Sequence, residues 1–347
     1  MAYSSIAKPT DYFNTNLWTG TGDSTTAVTG VGFQPDWVWV KNRDVGDDHM
    51  LFDAVRGVTK RLFSNSTAAE GTDAQTLTSF DSDGFTTGNN RATGGDSGNK
   101  MVAWNWKANG AGSSNSDGSI TSTVSANTTA GFSIVKVAKS NTNVATIGHG
   151  LGVAPKFIIG KDLDTADNWT CYNASIGNGK GLYLNATNAE VSASTFWNST
   201  SPTSSVFTIG SDNTWNSPSI VFYCFADVKG YSKFGSYTGN GSTDGTFVYT
   251  GFKPAWVLIK NSGRASTSWT LYDNKRPGYN SDNAYLLPDA SDVEASDKDI
   301  DLLSNGFKPL LSNNAVNTSG DSYIYMAFAE NPFVGNDSGT AVPGVAR

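Results

Sequence analysis

The chain has 347 residues, a net charge of −7 and a pI of about 4.8, and only 16% of its residues are charged. An acidic chain without a basic run repels phosphate groups, so nucleic acid and anionic membrane surfaces are not expected partners. Aromatic residues make up 12% of the chain, which excludes a disordered protein, and no stretch approaches the roughly 20 apolar residues of a membrane helix.

One strand motif occurs three times. It reads Gly-Phe-Gln-Pro-Asp-Trp-Val-Trp-Val-Lys-Asn over residues 32–42, and related segments occupy residues 152–162 and 251–261. The motif places prolines at Pro35, Pro155 and Pro254. This spacing is the length of a small domain and is too long for a solenoid unit. The sequence therefore predicts three tandem copies of one domain, with the three prolines at equivalent positions.

Each copy continues with further strand signals. A second short strand ends at Asp53, Asn173 or Asp273, and a hydrophobic strand closes each copy over residues 102–108, 221–227 and 325–330. The runs are rich in β-branched and aromatic residues, and Asp-Gly or Asn-Gly turns separate many of them. No window shows a clean helical period. The pattern predicts an all-β protein with three tandem β-sandwich or jelly-roll-like domains.

The domain boundaries follow from composition. Residues 111–118 belong to a Gly/Ser-rich run that predicts a flexible linker, and the small polar residues 335–347 predict an extended C-terminal tail. The predicted β-domains then cover residues 1–110, 119–231 and 232–334.

Several buried positions are expected from the strand pattern. Cys171 and Cys224 have no cysteine counterparts in the other copies, which favours buried free thiols over a disulfide. Lys41, Lys161 and Lys260 end equivalent strands and are predicted to be solvated. The predicted core positions of the first and third domains are Phe33, Trp37, Leu51, Phe52, Phe85, Trp106, Phe252, Trp256, Leu271, Phe307 and Phe328.

An acidic run is a candidate metal site. Asp44, Asp47 and Asp48 could supply oxygen ligands to Ca²⁺. Their spacing is not that of an EF-hand, and an exposed acidic hairpin loop explains the run equally well.

Tryptophan side chains are candidate sugar-binding groups, because flat rings stack on sugar faces. The candidates are Trp169, Trp197, Trp215 and Trp269. Core packing is the competing interpretation, above all for Trp169 and Trp269, which occupy equivalent strand positions.

No catalytic residue is predicted. His49 and His149 lie in different copies at positions that do not correspond, so turn or edge roles are expected. A glycosidase needs two neighbouring carboxyl groups, whereas the second copy replaces the recurrent aspartate with Asn173. An Asx turn that ends each strand is the better explanation for this recurrent position.

Four motifs give the chain a resemblance to a known family. They are Trp-Thr-Gly-Thr-Gly at 18–22, Pro-Asp-Trp-Val-Trp-Val-Lys at 35–41, Lys-Gly-Tyr-Ser-Lys-Phe at 229–234 and Ala-Phe-Ala-Glu-Asn-Pro-Phe at 327–333. With them the chain resembles proteins encoded by tailed phages of marine bacteria. The resemblance implies a virion or tail-fibre structural protein, and the family supplies no agreed catalytic residues.

The expected function is that of a non-catalytic virion surface protein, in a tail fibre, spike or head appendage, that binds a host surface or glycan. A homo-oligomer, most plausibly a trimer that buries exposed strand edges, and other virion proteins are the expected partners. The first residues lack the regions of a signal peptide, so we expect release by particle assembly and host lysis. A capsid decoration protein and a glycan-degrading enzyme are the alternatives.

Overall fold

The computed structural model describes residues 4–139, 141–276, 280 and 283–332. Its regular structure is almost entirely antiparallel β-strand, with three short 3-10 turns at Pro9–Asp11, Arg91–Thr93 and Asn213–Trp215. The all-β prediction is confirmed. Within these residues, no helix is long or apolar enough to cross a membrane. The predicted tail, residues 335–347, lies outside the described residues.

The first repeat contains nine strands. They are β1 (Phe13–Thr19), β2 (Thr26–Thr29), β3 (Trp37–Asn42), β4 (Met50–Asp53), β5 (Lys60–Phe63), β6 (Gly71–Thr72), β7 (Leu77–Asp81), β8 (Gly84–Thr87) and β9 (Lys100–Trp106). Six of them form a large sheet in the order β1-β9-β3-β4-β5-β6, and three form a small sheet in the order β2-β8-β7.

The second repeat contains ten strands. They are β10 (Ser113–Asn115), β11 (Ser122–Asn127), β12 (Phe132–Lys139), β13 (Ala145–Gly148), β14 (Phe157–Asp162), β15 (Thr170–Asn173), β16 (Lys180–Tyr183), β17 (Val191–Ser192), β18 (Val206–Ile209) and β19 (Ser217–Phe225). The large sheet has the order β10-β11-β12-β19-β14-β15-β16-β17, and the small sheet pairs β13 with β18. The segment predicted as a linker thus contains β10, which pairs with β11. Backbone hydrogen bonds to a neighbouring strand can order a Ser/Asn segment that has no apolar side chain to bury.

The described part of the third repeat contains eight strands. They are β20 (Ser232–Thr238), β21 (Val248–Tyr249), β22 (Phe252–Asn261), β23 (Thr270–Asp273), β24 (Tyr285–Leu286), β25 (Ile300–Leu303), β26 (Gly306–Pro309) and β27 (Ser322–Pro332). The large sheet has the order β20-β27-β22-β23-β24, and the small sheet has the order β21-β26-β25.

The proline motif occupies the same place in all three repeats. It leads into β3 and β14 and forms most of β22. Each of these strands lies between the closing strand of its repeat (β9, β19 or β27) and the next strand along the chain (β4, β15 or β23). Pro35, Pro155 and Pro254 each precede by two residues the first position that pairs with both neighbours. The predicted equivalence of the three prolines is confirmed.

One buried cluster, the central core, joins the three repeats. The inner faces of all three large sheets contribute to it, with Trp37, Trp106, Phe157, Tyr223, Trp256 and Phe328 among its members. The opposite face of each large sheet packs on the small sheet of its own repeat in a separate cluster. Both faces of β3, β14 and β22 are therefore buried, which explains why these strands lack an alternating apolar pattern.

The predicted core positions are confirmed, since all eleven are buried. Ten of them divide between the central core and an outer core. Trp37 and Trp106, for example, lie in the central core, whereas Phe52 and Phe85 lie in the outer core of the first repeat. Cys171 and Cys224 are buried free thiols, as predicted, and burial raises the pKa of both. The three repeats share one core, so they are not separate globular units.

Candidate functional site

Three equivalent backbone hydrogen bonds link the repeats into a closed ring. In each, a glutamate N–H of one repeat donates to the carbonyl that follows β14, β22 or β3 in the next repeat. The bonds are Glu70 to Leu163 at 2.9 Å, Glu190 to Ser262 at 2.8 Å and Glu294 to Arg43 at 2.9 Å. The first repeat thus contacts the second, the second the third, and the third the first. The chain has threefold pseudosymmetry within one polypeptide.

The tryptophans just before β15 and β23 also contact a neighbouring repeat. Trp169 Nε1 donates to the Phe63 carbonyl at 2.8 Å, and Trp269 Nε1 donates to the Tyr183 carbonyl at 2.9 Å. His49 has the equivalent position in the first repeat. Its Nδ1 accepts a hydrogen bond from Trp39 Nε1 at 3.0 Å, and burial holds its pKa well below the usual value. The imidazole packs against Trp39 and Trp104 of its own repeat.

The four tryptophans proposed for sugar binding are interior residues. Trp169, Trp197, Trp215 and Trp269 are each at most 1% exposed. Trp197 and Trp215 lie in the outer core of the second repeat, and Trp215 Nε1 donates to the Phe196 carbonyl at 2.9 Å. A sugar can stack only on an exposed ring face, so these side chains are not available and the site prediction is corrected. Strand position alone does not show that both faces of the sheet are covered.

The proposed metal ligands point to separate partners. Asp47 forms an ion pair with Arg91. Asp48 accepts from Asn65 at 2.7 Å, and Asp44 accepts from the Lys100 N–H at 2.7 Å. No group of three His, Cys, Asp or Glu side chains that could hold a metal ion occurs among the residues that the structure describes. The acidic run acts as a set of loop-closing hydrogen-bond acceptors.

The three equivalent lysines are buried, so the prediction of solvated ends was wrong. Lys41, Lys161 and Lys260 have no exposed surface. Lys41 Nζ donates to the Asn42 carbonyl at 2.6 Å, Lys161 Nζ donates to the Asp162 carbonyl at 2.8 Å, and Lys260 Nζ donates to the carbonyl of Thr267. The following loop folds back over each ammonium group. Burial lowers the pKa of all three lysines to about 8.

The recurrent residue at the end of β4, β15 and β23 forms the predicted Asx turn. Asp53 Oδ1 accepts from the Arg56 N–H at 2.8 Å, and Asp273 Oδ1 accepts from the Arg276 N–H at 2.9 Å. Asn173 Oδ1 closes the same turn in the second repeat by accepting from the Ser175 N–H at 2.8 Å. This prediction is confirmed.

The two aspartates also belong to buried networks that sequence reasoning missed. Each carboxylate pairs with the arginine three residues later, Arg56 or Arg276. A neighbouring repeat supplies one more donor. Tyr223 Oη donates to Asp53 Oδ2 at 2.7 Å, and Trp104 Nε1 donates to Asp273 Oδ2 at 2.9 Å. Burial alone would raise the pKa of Asp273, but the Arg276 charge lowers it.

The second repeat lacks this network in a coordinated way. Asn173 replaces the aspartate, and Ile176 replaces the arginine. Trp104 and Tyr223 occupy equivalent positions in the closing strands of the first and second repeats. The equivalent residue in the third repeat is Met326, whose side chain has no N–H or O–H to donate. Loss of the charge and loss of its donor therefore occur together. The signal available in the sequence was an arginine three residues after the aspartate in two of three copies.

An open cleft lies where the chain passes from the second repeat into the third. Its volume is about 390 Å³, and its lining includes Asp227, Ser232, Lys233, Tyr249 and Thr250. Lys233 Nζ lies 5.5 Å from the centre of the Tyr249 ring. Tyr249 is 48% exposed and Phe247, two residues before it, is 46% exposed. The cleft combines an exposed aromatic ring with a cation.

These features define a class of protein: an all-β chain in which three pseudo-equivalent repeats close around one core. The chain belongs to the family of the domain of unknown function DUF7483, whose sequence model matches residues 8–332. That match spans all three repeats, so the family unit is the complete ring. No curated protein and no solved structure matches the chain.

Proposed function

We propose that the chain is a non-catalytic structural protein on the surface of a tailed-phage virion and that it works by binding. The observation that supports this proposal best is the closed ring of three repeats around a shared core. Such a body keeps its outer faces in fixed positions, which suits an appendage that must present a binding face. The resemblance of its sequence motifs to phage-encoded proteins favours the same assignment.

The cleft beside Tyr249 is the proposed host-contact site, in place of the buried tryptophans. Its half-exposed aromatic ring can stack on a sugar face, whereas the buried hydroxyls of Ser232 and Thr250 already donate to the Ala226 and Phe252 carbonyls. The ligand class that fits this chemistry is a surface glycan, with Lys233 favouring one that carries a carboxylate or sulfate.

The rival functions make different demands. A glycan-degrading enzyme requires a carboxylate pair that faces substrate, whereas Asp53 and Asp273 are buried and bound to arginines. A capsid decoration protein would bind capsomers through the same rigid body and would need no sugar site. For the assembled particle, a homo-oligomer, with a trimer first, stays a prediction; one chain by itself already supplies three equivalent repeats.

Three measurements test the proposal. Antibody labelling of purified virions distinguishes an appendage from the capsid surface, and absence from virions overturns the assignment. Binding of the purified protein to host-envelope polysaccharide is expected to weaken in Tyr249→Ala, while Val293→Ala, an exposed residue elsewhere in the third repeat, serves as the control. Cleavage of that polysaccharide, with activity lost on substitution of one Asp or Glu, would establish an enzyme instead.

A further inference from the structure

The three interfaces of the ring differ in how the chain connects them. The chain runs directly from the first repeat to the second and from the second to the third. The third repeat meets the first without a direct chain connection. We call this interface the seam. Only noncovalent contacts close the ring there.

The seam carries an ion pair of high geometric quality. Arg43 Nε donates to Glu294 Oε2 at 2.8 Å, and Arg43 Nη2 donates to Glu294 Oε1 at 2.7 Å. This is the two-pronged arrangement that makes arginine–carboxylate pairs directional. The two side chains are 6% and 16% exposed, so solvent screens the pair only partly. Arg276 also donates to Glu294 Oε2, at 3.2 Å, and fixes the carboxylate from its own repeat.

The two connected interfaces lack such a pair although they retain its acidic half. Leu163 and Ser262 occupy the positions equivalent to Arg43. Glu70 instead pairs with Arg56 of its own repeat, and Glu190 pairs with Lys180 of its own repeat. Among the described residues, Arg43–Glu294 is the only ion pair that joins two repeats.

We propose that the Arg43–Glu294 pair is a clasp that closes the ring at the seam and that, without it, the ring opens at the seam before either connected interface. Glu294 keeps Arg276 as a partner in its own repeat, whereas Arg43 pairs with no other carboxylate among the described residues. A buried cation without its partner destabilises the folded state, so the pair favours one specific docking of the third repeat on the first. The connected interfaces do not need this device, because the short chain connections keep their repeats together at high effective concentration.

The structure supplies three matched reporters for a test. The amide N–H groups of Glu70, Glu190 and Glu294 each donate across one interface, at 2.9, 2.8 and 2.9 Å. Hydrogen exchange at these amides, measured on the full chain, reports the opening of each interface separately. The test variant is Arg43→Leu, which copies the residue of the second repeat. Glu294→Gln tests the other half of the clasp, and Glu190→Gln is the matched control at a connected interface.

In Arg43→Leu and in Glu294→Gln we expect exchange at the residue 294 amide to rise about tenfold or more, with less than about twofold change at the other two reporters. Glu190→Gln should leave the residue 294 amide unchanged. Equal acceleration at all three reporters, or none at residue 294, would overturn the proposal. If Arg43→Leu does not fold, Arg43→Lys keeps the charge but loses the two-pronged contact, and the same reporters decide the outcome.

Discussion

The three buried lysines predict an unusual dependence of stability on pH. The pKa of Lys260 falls from 10.5 to about 8 in the folded protein because the ammonium group is buried. Between these two pH values the unfolded chain holds more protons than the folded chain, so the free energy of unfolding rises with pH. The contribution of this lysine is therefore smallest below pH 8 and is gained as pH rises toward 10.5.

The size of the effect follows from linkage. With folded and unfolded pKa values of about 8 and 10.5, one lysine adds roughly 2 kcal/mol to the unfolding free energy between pH ~7 and pH ~9.5. Lys41 and Lys161 should contribute similarly, because burial lowers their pKa values to about 8 as well. Buried tyrosines and thiols work in the opposite direction at high pH, because burial raises the pKa values of Tyr231, Cys171 and Cys224.

A variant isolates the lysine from these opposing groups. Lys260→Met removes the titrating group and keeps a side chain of similar length. Urea unfolding of both proteins at pH ~7 and pH ~9.5 gives four free energies, and the wild type should gain about 2 kcal/mol more than Lys260→Met across this interval. Any constant cost of the substitution cancels in this comparison. An equal pH response in the two proteins would refute the assignment of a lowered pKa to Lys260.

Two further predictions concern the central core and its networks. Trp256→Ala should lower the unfolding free energy by about 3–5 kcal/mol, because the indole is fully buried among three repeats. The control Val153→Ala, at a half-exposed residue, should leave the melting temperature unchanged. An unchanged melting temperature for Trp256→Ala would contradict this packing. Arg56→Ile should cost roughly 3–5 kcal/mol, because it leaves Asp53 buried without its cation. The double variant Asp53→Asn with Arg56→Ile copies the second repeat. It should lose less unfolding free energy than Arg56→Ile alone, measured by chemical denaturation. A loss equal to or greater than the sum of the two single variants would count against this coupling.

The sequence by itself determined the repeat, the strand type and most buried positions. These properties follow from local signals: β-branched and aromatic runs, Gly-containing turns and a proline motif that occurs three times. It also determined the Asx turns at Asp53 and Asp273, because the backbone N–H that donates to each carboxylate lies only three residues further along the chain.

Only the tertiary structure decided how the repeats are arranged and which of the recurrent polar residues are buried. A strand motif carries no information about which residues cover its second face, so the closed ring was not predictable, and only the structure decided for core packing over sugar binding at Trp169 and Trp269. The same holds for the lysines: Lys41 has the pattern of a solvated strand end, yet a loop covers it. Arg43 and Glu294 lie far apart in sequence and meet only because the third repeat packs against the first. The packing of whole sheets against one another, rather than the preference of any segment, determines which polar groups lose water and must find a partner.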